Sequence, residues 1–187
     1  MGKVIFYYMN LSMKNNQLIN YLHTVYPELP INIHKIKGYS DDEIKKIERL
    51  YRINVTEQLY DFLSCMGRCS GGFFGDSSLL FYRNSFSVRD HVQFQIGSCS
   101  ELCGIQKHDL LNKKPFFFSI ESETQHLFLL TYSDNPNKVY QYDENEEVIK
   151  NTHWDFNGYL KYLIDKSTKK NINNILKYDF IGELIEI

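Results

Sequence analysis

The chain has 187 residues, enough for one well-buried domain and short for two, and its 43% hydrophobic and 24% charged residues are ordinary for a soluble globular protein. A net charge of −2 argues against non-specific binding to nucleic acid or to an anionic membrane surface, since both want a basic patch. No apolar run approaches the roughly 20 residues of a membrane span, and Val4–Met9 is too short for a secretory signal core.

A cytoplasmic protein with four reduced cysteines is therefore expected. Aromatic residues are abundant, with 14 Tyr and 13 Phe but one Trp, a bias that suits sheets and protein interfaces equally.

The first segment, Met1–Lys37, carries the weakest pattern. Val4–Met9 reads as a strand and Asn16–Val25 as a helix that Pro27 and Pro30 interrupt. It is taken as an extension that packs on the main domain. From Gly38 the signals sharpen. Ser40-Asp41-Asp42-Glu43 is a capping box, and Ile44, Ile47 and Tyr51 form the apolar stripe of the helix behind it. Asn54-Val55-Thr56-Glu57 repeats the cap-then-glutamate pattern and predicts a second helix through Val55, Leu59, Phe62, Leu63 and Met66, stopped at Gly67. Gly71–Asp76 is turn chemistry, and Leu79–Tyr82 reads as a strand. Ser87 with Asp90 predicts a helix over Val88–Gln95, and Gly97 and Gly104 interrupt the stretch beyond it.

Pro115–Asp165 then organises the rest. Phe116–Ile120, Leu127–Tyr132 and Val139–Tyr142 have strand composition, separated by turns at Ser122–Gln125 and Ser133–Asn137. Val148–Ile149, after an acidic turn, makes a short fourth strand. Phe156, Tyr159, Leu160, Leu163 and Ile164 fall on one helical face, with Thr152 or Asn151 as cap. Ile172–Tyr178 adds a short helix. Phe180–Ile187 is apolar, suited to an edge strand or to another subunit, so monomer and homodimer both stay open.

The expected architecture is a single α+β domain over residues 1–187, with a core at 38–165 and extensions at 1–37 and 166–187. Its centre is a mostly antiparallel meander of about four to six strands, packed with an N-terminal helical pair and closed by an amphipathic helix.

That order of elements resembles the SUKH superfamily, the group related to the yeast cell-wall-assembly regulator. Three places carry the resemblance: the helices Glu43–Tyr51 and Val55–Gly67 ending in a glycine turn; the strand pair Phe116–Ile120 and Leu127–Tyr132; and Val139-Tyr140-Gln141-Tyr142 with its acidic turn and the helix Phe156–Ile164. The chain departs from the family pattern at Ile53-Asn54, where Leu-Pro is usual, and at Arg68-Cys69-Ser70, which widens the glycine turn. The resemblance implies a non-enzymatic α+β domain without a cofactor. It implies as partner a cognate protein toxin, delivered between competing bacteria and neutralised by occlusion of its active site. A regulatory scaffold or adaptor is the alternative that the same family offers.

The residues themselves supply a candidate surface. Nine acids face three lysines in Pro115–Asp165, a local charge of −6 on a chain of −2. An acidic cluster on rigid turns is attracted to the basic cleft of an enzyme that acts on an anionic substrate. The named partner-binding set is Glu121, Glu123, Asp134, Tyr140, Tyr142, Asp143, Glu144, Glu146, Glu147 and Trp154, the aromatics serving as anchors. Solvated hairpin acids and core aromatics are the plainer account of the same residues. Cys65 and Cys69, with Cys99 and Cys103, form two C-x3-C pairs that a four-thiolate zinc site would use, although ordinary burial explains free cysteines as well. No motif fixes a catalytic nucleophile and base, so no catalytic residue is assigned.

Overall fold

The computed structural model describes residues 17–22, 33–74, 78–83, 86–170 and 182–185. The first capped helix, α1 (Asp41–Tyr51), forms as its sequence directs: the Glu43 amide donates to the Ser40 hydroxyl, and the Ser40 amide donates to the Glu43 carboxylate at 2.8 Å. Its Ile44 and Ile47 are buried.

The second helix, α2 (Glu57–Met66), starts differently from the expectation. Thr56 stands at its N-cap, but its side chain makes no capping hydrogen bond. The loop amides are satisfied from elsewhere, Val55 donating to Glu48 Oε1 at 2.8 Å and Gln58 donating to Asn137 Oδ1 at 3.2 Å. A residue from the connection just before Lys138–Asp143, the third strand of the sheet, thus replaces the local cap. Leu59, Phe62, Leu63, Cys65 and Met66 are buried, and Gly67 closes the helix.

Leu79–Tyr82 is not a strand. Leu79 makes a single bridge to Ser119, and Leu80–Tyr82 is a 3-10 turn. A strand would send Phe81 and Tyr82 to opposite sides. The turn brings both rings to Phe62, at centroid distances of 5.0 and 6.3 Å.

Helix α3 (Val88–Gly104) begins at the Ser87–Asp90 capping box and runs past Gly97 rather than ending at Gln95. An internal glycine costs a helix about 1 kcal/mol, while burying one leucine side chain stabilises it by about 1.5–3 kcal/mol. Leu102, beyond the glycine, is fully buried, so the longer helix wins. A short helix α4 (His108–Leu111) leads into the sheet.

The sheet has four sequential antiparallel strands, β1 (Pro115–Glu121), β2 (Gln125–Leu130), β3 (Lys138–Asp143) and β4 (Val148–Asp155). The fourth is eight residues long and takes in Asn151 and Thr152, so neither caps the last helix. Instead Asp155 accepts the Gly158 amide at 2.8 Å, and α5 (Phe156–Lys170) begins there. The arrangement is α+β, with helices before the sheet and one closing helix after it.

Both sheet faces are covered. Phe116, Phe118, Leu127, Leu129 and Val139 join the core that contains Ile47, Phe62, Tyr159 and Leu163 of α1, α2 and α5. Phe117, Phe128, Leu130 and Tyr142 join a second core around Leu102 of α3, with Phe94 and Leu111 packed against it. A register shift between Phe117 and Ser119 sets Ser119 opposite Leu127, so that Phe118 and Ser119 both reach the first core, where Ser119 Oγ lies 2.7 Å from Tyr159 Oη.

Two outer segments are partly described. Residues 17–22 are helical and bury Leu18, Ile19 and Leu22 in the first core. Gly182 to Ile185 form no strand. The Gly182 amide donates to the Arg68 carbonyl at 2.7 Å, Glu183 pairs with Arg68, and Leu184 is buried between Tyr39 and Tyr51. This part of the apolar tail packs into its own chain, so at Leu184 the expectation of an edge strand or subunit contact is corrected. The expected strand at 4–9 and helix at 172–178 lie outside the described residues.

Candidate functional site

Sequential antiparallel pairing puts the β1–β2 and β3–β4 turns at the same end of the sheet. The two are tied together: the Glu144 amide donates to the Thr124 carbonyl at 2.9 Å, and Asn145 Nδ2 donates to Thr124 Oγ1 at 3.2 Å. Asp143 Oδ1 accepts the amides of Asn145 and Glu146 at 3.1 and 3.4 Å, and its Oδ2 accepts Gln125 Nε2 at 3.2 Å. The bond from Gln125, helped by the two amides, holds the Asp143 carboxyl below its ordinary range. Asp143 sits at the rim yet exposes little surface. It shapes the turn.

On this frame Glu123, Glu146 and Glu147 are exposed and Glu144 is half-buried. Glu146 pairs with Lys150 at 2.8 Å, both largely in water, an arrangement that contributes little to stability. Glu144 Oε1 lies 3.0 Å from His126 Nε2. Helix α3 adds Glu101 beside them. The buried phenol of Tyr142 is pushed upward first by burial, then by Glu101, Glu147, Glu144 and Asp143. Four carboxylates therefore concentrate negative potential at one spot.

Of the named partner-binding set, Glu123, Glu144, Glu146 and Glu147 present this acidic end, with Tyr142 and Asp143 buried beneath it. Glu121 is turned inward, accepting Tyr159 Oη at 2.9 Å and Lys166 Nζ at 3.4 Å. Asp134 lies in the β2–β3 connection, at the opposite end of the sheet. Tyr140 stacks on Phe128 at 5.5 Å, and Trp154 packs on Tyr159 and Tyr162 at 5.5 and 4.8 Å. The two aromatics are half-buried parts of the packing. Glu101 and His126 were not anticipated; residues 101, 126 and 144 share no spacing that a linear reading detects.

The four cysteines form no disulfide and do not converge. Cys65 belongs to the first core, and Cys99 packs on the second, across the sheet. The four-thiolate site is therefore not formed. Burial, with Asp61 nearby, pushes the Cys65 thiol up to about 12, which keeps it protonated near neutral pH. A separate concavity of about 580 Å³ lies between the end of α1 and α3, with Ile96, Cys99 and Cys103 on one wall and Arg52 and Lys114 on another. No described helix is long and apolar enough to cross a membrane.

Comparison with protein-family models, with curated proteins and with solved structures finds no match.

Proposed function

We propose that this chain is a non-enzymatic immunity protein of SUKH type, which acts in the cytoplasm by binding one cognate toxin domain and occluding its active site. The observation that carries the reading is the pair of acidic hairpin turns, tied to each other through Thr124 and displayed at the end of a sheet packed on both faces. A preordered acidic surface loses little entropy on binding and raises the rate of encounter with a basic cleft. The order of helices, meander and closing helix supports the same assignment.

The test is co-expression with the toxin encoded by the neighbouring gene. Rescue of growth and a stable 1:1 complex are expected. Glu123→Lys, Glu146→Lys and Glu147→Lys together should slow association at low salt while leaving the fold intact. Absence of both binding and rescue overturns the proposal. Binding without rescue supports the scaffold alternative, and an unchanged association rate removes these acids from the interface.

A further inference from the structure

Three groups of metal-ligand type, distant in sequence, meet beside the acidic turns. Glu101 comes from α3, His126 from the start of β2 and Glu144 from the β3–β4 turn, and one ligating atom of each lies within 4.8 Å of the others. We propose that these residues bind a divalent transition-metal ion of the zinc class, through the His126 imidazole and the Glu101 and Glu144 carboxylates, with further positions open to solvent.

The donors fit such an ion. Ligands placed roughly 2.0–2.2 Å from one zinc ion stand about 3–4 Å apart. His126 Nε2 and Glu144 Oε1 are 3.0 Å apart, so two donors already have that spacing. Glu101 is exposed at the outer side and has the freedom to close on them. One imidazole with two carboxylates suits zinc, manganese or iron better than magnesium or calcium, which favour all-oxygen sets.

His126 is the group that distinguishes this cluster from an ordinary patch of surface acids. It is 4% exposed and turns Nε2 toward Glu144. Phe94, Phe117 and Tyr142 surround the ring at centroid distances of 5.1, 6.4 and 6.4 Å and fix its plane.

Bound there, the ion clasps α3 to the β3–β4 turn across the edge of the second core. The inference rests on these side chains alone, and stands or falls separately from toxin binding.

The full-length chain, freed of any affinity tag and stripped with a chelator, is titrated with Zn²⁺ and with Co²⁺ as a spectroscopic probe. One ion per chain is expected, with a Co²⁺ spectrum free of thiolate charge transfer and a higher melting temperature when metal is saturating. Glu101→Gln and Glu144→Gln should each weaken affinity at least about tenfold. Glu123→Gln and Glu147→Gln remove the same charge nearby and should change it by no more than about twofold. Glu101 is an exposed helix residue, so its variant keeps the fold even if the Glu144 turn is disturbed. No saturable binding, a thiolate spectrum, or equal losses in the control variants would each overturn the site.

Discussion

The side chain of Gln95 makes two hydrogen bonds to the backbone of Phe117, Nε2 donating to the carbonyl at 2.6 Å and Oε1 accepting the amide at 2.9 Å. β1 ends the strand order, and its outer backbone groups would otherwise be unpaired at this point. One side-chain amide of α3 thus stands in for a neighbouring strand.

Gln95→Ala should therefore destabilise the fold by about 2 kcal/mol, two backbone groups losing their partner beside a buried ring. Chemical denaturation measures the loss, and amide exchange at Phe117 localises it. A stability unchanged within error would mean that water replaces the side chain at no cost.

His91 predicts a response to acid. The ring is 3% exposed and lies 5.2 Å from Phe86. Burial, opposed by Asp90 and aided by Arg83, lowers its pKa to about 4 from the ordinary 6.5. The unfolded chain then binds the proton first as pH falls. Stability from this residue is complete above about pH 6.5 and is lost progressively down to about pH 4, by about 3 kcal/mol in all. Urea titrations from pH 7 to 4 should show a shallower decline for His91→Gln than for the wild type.

The hydroxyl of Tyr159 links two strand residues to α5. It donates to Glu121 at 2.9 Å, which leaves Ser119 Oγ, 2.7 Å away, as the donor to it. Tyr159→Phe strands a fully buried serine and should cost about 2 kcal/mol, or about 4–8 °C in melting temperature. Ser119→Ala in the same chain should add less than its cost alone, because the two variants remove one shared bond.

Two glycines should respond in opposite directions to alanine. A Cβ on Gly97 would meet nothing within 4 Å, so Gly97→Ala should stabilise α3 by about 0.5–1 kcal/mol. A Cβ on Gly182 would lie 1.6 Å from the Phe81 carbonyl oxygen, so the backbone must move. Gly182→Ala should destabilise by at least about 2 kcal/mol. Melting curves of the two variants, run together, check the contrast.

The parts of the fold legible in the sequence are those set by neighbours along the chain. Ser40 with Glu43 and Ser87 with Asp90 close the capping boxes that their spacing predicts. The strand composition of Phe116–Ile120, Leu127–Tyr132 and Val139–Tyr142 locates three strands of the meander. The features that escaped depend on contacts that spacing does not record. The cap of α2 comes from Asn137, and the end of α3 is decided by where Leu102 is buried. β4 is an edge strand carrying Lys150, Asn151, Thr152 and His153, so it has no hydrophobic alternation to reveal its length. The acidic turns were visible as charge, but not the separation of Asp134 from the rest. The meeting of Glu101 with His126 is a product of α3 crossing the sheet, which no linear motif encodes.

The stitch from Gly182 to Ile185 is what completes the first core. Leu184 fills the same core as Ile44 and Phe62, and Tyr39 and Tyr51 bond to its backbone. A nascent chain that has emerged only through α5 carries the whole sheet and both of its helical covers, yet its first core has an open seam. Until residue 184 leaves the ribosome, Tyr39 and Tyr51 have a vacant slot between them. A chain cut before this stretch would leave both phenols without their partner at Leu184 and the first core one side chain short.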